Sequence, residues 1–353
     1  MITNDTRKEI IKAYAYGHSA ESIAAVVNED ISEISAIMVS SRDEIEKFKA
    51  YVSSQKPKFA TTAASVEDGA KAHYGIDISV WNGRVDMSKV KASGKDFVFI
   101  RSGYGNTSLY PSQIDSRFAE NVKNAKAAGI SWGVYHYMYA TSVSAAKEEA
   151  KAFVKQLDKI KPIPHLCLLD VEESSQTSLS AEAGQSLIKA FADVVQAAGY
   201  WFAIYTFDSY AQKLGSPFCS KYTNWIANIN RVPTAPHDGW QYSWVGRVDG
   251  CIGDVDLDST EVDFPAKIKA AGKNGYKKAD VKKALDSTGF KHGDKGLGVY
   301  YLKRYLMKHL GYKMNDDKGF GAGTEKAVND LLSKNGYKPN GIAGENFAKL
   351  FIK

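Results

Sequence analysis

Between His73 and Phe264, short apolar runs of strand character alternate with longer segments of helical periodicity. The strand candidates are Gly75 to Trp81, Phe97 to Gly105, Trp132 to Tyr139, Leu166 to Glu172 and Phe202 to Phe207. Helical segments lie between them at Asp115 to Ala128, Ser144 to Ile160 and Ser180 to Ala198, the first and last closed by Gly129 and Gly199. This alternation admits few folds, because parallel strands need crossovers and the crossover helices must cover the sheet. A parallel barrel or sheet results, and ligands of such folds collect at the C-terminal ends of the strands. After Phe207 three more strand candidates follow with little helix between them: Asn224 to Ile229, Trp240 to Ser243 and Val255 to Leu257. The segment is 192 residues long. A full eightfold barrel takes about 250, and the missing late helices account for the difference.

The run Leu166 to Leu169 ends in two acids, Asp170 and Glu172. Side chains at i and i+2 of a strand share a face, with Cα atoms roughly 6.6 Å apart. Two carboxyls at the mouth of a buried strand repel one another and lose water, so at least one pKa rises. General acid chemistry on a glycosidic bond needs such a protonated and ionised pair. A solvated strand end is the competing reading. Further acids stand near the ends of other strand candidates: Asp77, and Asp256 between Asp254 and Asp258. A closed barrel would bring them to one mouth. Clustered acids also bind calcium or magnesium, but 254–258 lacks the spacing and glycine of an EF-hand loop. Tyr104, Tyr135, Tyr137, Tyr139, Tyr205, Trp225, Trp240 and Tyr242 fall in or just after strand candidates. Aromatics with a polar tip suit sugar rings edged by hydroxyls; about half of these are expected to be core.

The flanks are helical. In residues 1–52, Arg7 to Tyr16 reads as one helix, Ser19 as the cap of a second through Val27, and Ser32 as the cap of a third. The pattern is like a helix-turn-helix, yet the second element, Ser32 to Ser40, holds Glu33 and no Lys or Arg. DNA binding needs a basic footprint, so no nucleic acid partner is expected. A small bundle for protein contact or homo-oligomerisation is the favoured reading. Residues 53–72 read as a linker, rich in Ser, Thr, Ala and Lys. From 273 to 353 the chain is helical again, with helices at Val299 to Leu310 and Thr324 to Ser333. That stretch holds 17 Lys and Arg against 8 Asp and Glu, while the whole chain is at +6. A polyanionic partner is expected there. No apolar run is long enough to span a membrane. Met1 to Gly17 has no apolar core, so synthesis in the cytoplasm without a signal peptide is expected. Cys167, Cys219 and Cys251 are too few for a disulfide framework or a zinc site.

Taken in order, Gly75-Ile-Asp-Ile-Ser79, Arg101-Ser-Gly-Tyr-Gly105, Gly133-Val-Tyr-His-Tyr137, Leu169-Asp-Val-Glu172, Trp240-Gln-Tyr242 and Val255-Asp-Leu257 resemble the motifs of family 25 glycoside hydrolases. These are the Chalaropsis-type lysozymes, also used as phage endolysins. The resemblance covers 73–266 and implies an α/β fold, a TIM-like barrel of five β/α units and three further strands. It implies N-acetylmuramidase activity on the β-1,4 bond from N-acetylmuramic acid to N-acetylglucosamine. By position, Glu172 matches the general acid. Asp170 matches the acid that orients the substrate's own N-acetyl group, and Asp77 and Asp256 match the supporting acids. Tyr104, Tyr135, Tyr137, Tyr205, Trp225 and Gln241 are the substrate-binding candidates. Asp258 stands where the family often has Asn. The stretch Asp317 to Val328 with Asn340 to Glu345 resembles a small peptidoglycan-binding domain, so 273–353 is expected to bind the wall. No cofactor or metal is called for. The expected partner is bacterial peptidoglycan, with Gram-positive walls favoured, and the expected place of action is the cell wall after release. The alternative is a catalytically weak wall-binding or virion-associated protein.

Overall fold

A computed structural model describes residues 2–15, 17–55, 72–277 and 282–352. The chain divides into two compact units, Met1–Lys277 and Lys278–Lys353.

The first unit is built on a closed barrel whose eight strands follow one another in sequence order. They are β1 (His73–Ile78), β2 (Phe97–Tyr104), β3 (Ser131–Tyr137), β4 (Cys167–Asp170), β5 (Phe202–Phe207), β6 (Thr223–Ala227), β7 (Gly239–Gly246) and β8 (Val255–Thr260). Pairs from β1 to β7 are parallel; β8 runs antiparallel to both β7 and β1 and closes the ring. Four helices precede the barrel: α1 (Asn4–Ala15), α2 (Ala20–Val27), α3 (Ile31–Ser40) and α4 (Arg42–Gln55). The crossovers carry α5 (Met87–Ala92), α6 (Phe118–Ala128), α7 (Val143–Asp158), α8 (Ser174–Thr177), α9 (Ala181–Ala197), α10 (Asp208–Leu214) and α11 (Ser216–Cys219). No helix stands between β6, β7 and β8, as the sequence pattern indicates, and α12 (Phe264–Ala271) follows the last strand.

Two cores form on the two sides of the sheet. Outside, α7 and α9 bury Phe153, Leu157, Leu187, Ile188, Phe191 and Val195 against Cys167, Leu169 and Ile204. Each such large side chain contributes roughly 1.5–3 kcal/mol. Inside, Phe97, Phe99, Leu166, Leu168 and Trp225 fill the barrel. Glycines make room for these rings. A Cβ on Gly75 would lie 2.2 Å from the Phe97 ring, and one on Gly239 2.1 Å from Trp225. The interior is therefore a packed floor, and the inward positions further along the strands are left for the mouth.

Several boundaries differ from the sequence reading. Strand β1 stops at Ile78, because Ser79 caps a short 3-10 turn at Val80–Asn82. Helix α6 starts at Phe118 rather than Asp115. The Asp115 side chain is engaged by Arg101 Nε and by the backbone N–H groups of Val80 and Arg117. Asp30, not Ser32, caps α3, accepting from the Ser32 N–H. Ser19 caps α2, as its place in the sequence indicates. Helix α4 reaches Gln55, and 56–71, the rest of the stretch that reads as a linker, lies outside the described residues.

The second unit holds α13 (Leu297–Leu310), α14 (Ala322–Lys334) and α15 (Glu345–Phe351) around Leu302, Leu306, Phe320, Val328, Leu332 and Phe347. Asp286 receives the Asn346 and Phe347 N–H groups at the start of α15.

Candidate active site

Register decides which side chains reach the mouth. Asp77 pairs with Asp256 across β1 and β8. Asp170 is the last residue of β4. Glu172 lies two residues beyond it, off the strand, so the shared strand face expected for the pair does not extend to Glu172. Asp170 is buried, whereas Asp77, Glu172 and Asp256 are partly open. All four carboxyls have raised pKa values, and burial is the first cause in each case. Asp77 stands at about 6. Asp170 is pushed well up by burial and then by the Glu172 charge, with Lys12 pulling it back. Glu172 is raised by burial against the opposing pull of Lys12 and Tyr137. Asp256 is pushed well up by burial and by Asp77. Like charges at one desolvated mouth cannot all ionise together.

A short relay fixes Asp77. Gln241 Nε2 donates to Asp77 Oδ2 at 2.7 Å. The Gln241 carbonyl accepts from the Tyr205 hydroxyl and the Trp244 indole, both at 2.7 Å. Gln241 is thus held in one orientation with its amide aimed at the acid. Tyr135 is partly open, and its hydroxyl is pushed up by burial and then by the neighbouring Asp77. Asp170 Oδ1 is buried and has no hydrogen-bond partner among the described residues. Among those residues no three His, Cys, Asp or Glu side chains are grouped to hold a metal ion.

Two groups of the aromatic candidates sit elsewhere than at an open groove. Trp225 is 1% exposed and belongs to the floor; its indole donates to Asp258 Oδ1 at 2.7 Å. Tyr104, Tyr137 and Tyr139 form one buried cluster, and helix α1 covers it. The Tyr104 hydroxyl donates to Thr6, the Tyr139 hydroxyl to Glu9 and the Tyr137 hydroxyl to Glu173. Lys12 bonds both Tyr137 and Glu173. The sequence reading misses Trp244, Glu173 and the buried Asp258. A tryptophan three residues after Gln241 and an acid beside Glu172 are visible as letters, but only the fold shows what they touch.

A closed barrel with five β/α units, whose C-terminal mouth gathers half-desolvated carboxyls and aromatic residues, is the build of a glycoside-cleaving hydrolase. Residues 76–251 match the family described as Glycosyl hydrolases family 25, and through this barrel the chain belongs to that family. The autolytic lysozyme of Clostridium acetobutylicum is 30% identical over 187 residues, 52% of this chain and 54% of that protein. Lysozyme M1 of Streptomyces globisporus is 27% identical over 206 residues, 52% of this chain and 65% of that protein. The bacterial lysozyme from Streptomyces coelicolor, a solved structure, is 28% identical with a TM-score of 0.46, covering 56% of this chain and 97% of that one. The chain spans between about half and two thirds of the length of these curated relatives.

Proposed function

We propose that the barrel hydrolyses the β-1,4 bond from N-acetylmuramic acid to N-acetylglucosamine in bacterial peptidoglycan. The observation that carries this reading is the convergence of Asp77, Asp170, Glu172 and Asp256 at one mouth with pKa values raised by burial. Glu172, raised and partly open, is the general acid: its proton passes to the leaving glycosidic oxygen as the bond to the anomeric carbon breaks. The acetamido oxygen of the same sugar bonds to that carbon. Asp170 orients this group, its unpartnered Oδ1 accepting the acetamido N–H. Water then opens the cyclic intermediate, and the Glu172 carboxylate takes the water's proton, restoring the acid. Asp77, fixed by Gln241, and Asp256 hold the sugar and keep the pair short of full ionisation. Substrate assistance departs from the ordinary two-carboxylate retaining scheme. The relatives bear the names of lysozymes, which agrees with this substrate.

The basic 273–353 stretch fits a wall-targeting role, because tethering to the polymer raises local substrate concentration even when the binding is weak. The site of action in this reading is the cell wall. Glu172→Gln should lower turnover of purified wall by about 10²–10⁴, the usual weight of general acid–base catalysis. The thermal transition should stay in place. Turnover undiminished in that variant would remove Glu172 from the role.

A further inference from the structure

Helix α1 presents two unlike faces. Ile10 and Ala13 pack with Ile23 and Ile34 of α2 and α3 in a small apolar core. The side toward the barrel carries Asp5, Thr6, Lys8, Glu9 and Lys12, spaced as one stripe of a helix. Each of these meets a polar group of the mouth. Asp5 accepts from Gln113 Nε2 at 3.3 Å. Thr6 accepts from Tyr104 at 3.2 Å. Glu9 is buried, accepting from Arg101 Nη1 at 2.9 Å and from Tyr139 at 3.0 Å. Lys8 pairs with Glu173 at 3.4 Å, and Lys12 reaches Glu173 and Tyr137. The main apolar contact near this junction is Trp81, which joins the helical core and stacks on His18.

The hydroxyls of Tyr104 and Tyr139, on the aromatic side of the mouth, are engaged by α1 and cannot meet a sugar while it stays there. The matched family region begins at residue 76, so the acid set does not depend on α1. The contact is also polar on both sides. Parting it exposes charges that water can solvate, and leaves the Ile10 core of the helical bundle intact. Buried ion pairs such as Glu9–Arg101 regain hydration on separation.

We propose that α1 is an internal occupant of the saccharide groove, and that a glycan strand must displace its polar face to lie across Glu172 and Asp170. This rests on the reading of the barrel as a muramidase. The docked Lys12 also pulls the proton-holding pair toward ionisation, so the covered state is poorly set for acid catalysis as well as closed to the strand.

Two variants of the full chain test it. Glu9→Lys sets a cation against Arg101, and Thr6→Arg crowds Tyr104; neither residue touches the carboxyl set. Peptide-free, soluble glycan strands of alternating N-acetylglucosamine and N-acetylmuramic acid are the substrate. Both variants should raise kcat/KM, by about tenfold if only a tenth of the wild-type chain is uncovered at rest. Hydrogen exchange of the Glu172→Gln chain supplies a second readout: the amides of 5–15 should lose protection when the strand is added. Unchanged or lower kcat/KM in both variants, each shown to be folded, would overturn the proposal. So would undiminished protection of α1 with the glycan bound. Loss of protection on binding without cleavage by any of the cleavage-competent chains would instead sink the muramidase reading and leave the occupancy of the groove standing.

Discussion

Asp258 is a carboxyl retained in the barrel at the expense of its charge. It is 1% exposed, and its pKa is pushed well up by burial and then by Asp77, against the pull of Lys95 and the Trp225 hydrogen bond. Trp225 donates to Oδ1, while Oδ2 has no donor facing it. A proton on Oδ2 resolves this by bridging Asp258 to Asp77. An asparagine offers the same oxygen and a permanent donor, so Asp258→Asn should preserve the fold and the relay at Asp77. The sign of its pH dependence follows from linkage. A native pKa raised above the unfolded value stabilises at low pH, and that contribution is lost as pH rises toward the raised value. Wild type carries this loss and the variant does not. The difference in urea midpoint, Asp258→Asn minus wild type, should therefore grow from pH 4 to pH 7.5. A constant or shrinking difference would mean that Asp258 is ionised in the native barrel.

Elements are legible in the sequence to the extent that they bury a face. The strand cores and α7, α9, α13 and α14 are readable from periodicity, because burial on one side forces it. Their ends are not, since caps and turns draw on side chains from elsewhere, as Asp115 shows at the start of α6. The docking of α1 is not legible either. A polar stripe on a helix reads as solvent-facing, and nothing in its spacing announces that Glu9 meets an arginine 92 residues away. The loop between β6 and β7 has a similar dependence. Asp208, at the start of α10, receives the N–H groups of Thr234 and Ala235 and the amide of Asn228. Burial pushes its pKa up, but these donors hold it at about 2. Asp208→Ala would leave the loop's N–H groups without an acceptor, at roughly 1–3 kcal/mol for an unsatisfied buried donor. The barrel transition should fall by several degrees. The wild-type contribution should itself fade as pH drops below the ordinary carboxylate range toward 2. A transition unmoved by Asp208→Ala would show that the loop holds itself.

At the scale of the whole molecule, a barrel with an acid mouth is joined to a second unit of strongly basic composition. The acid pairing on β4 and the ordered motifs make the chemistry readable. The covered tyrosines and the buried Trp225 are not readable, because strand position fixes which way a side chain points but not what lies above it. The central claim concerns which bond the mouth cuts. The most direct measurement is digestion of purified Gram-positive peptidoglycan, followed by borohydride reduction and mass spectrometry of the fragments, for wild type beside Glu172→Gln. Wild type should give fragments ending in reduced N-acetylmuramic acid, and the variant none above background. Fragments ending in reduced N-acetylglucosamine, or equal digestion by both proteins, would contradict the assignment of the bond and of its acid.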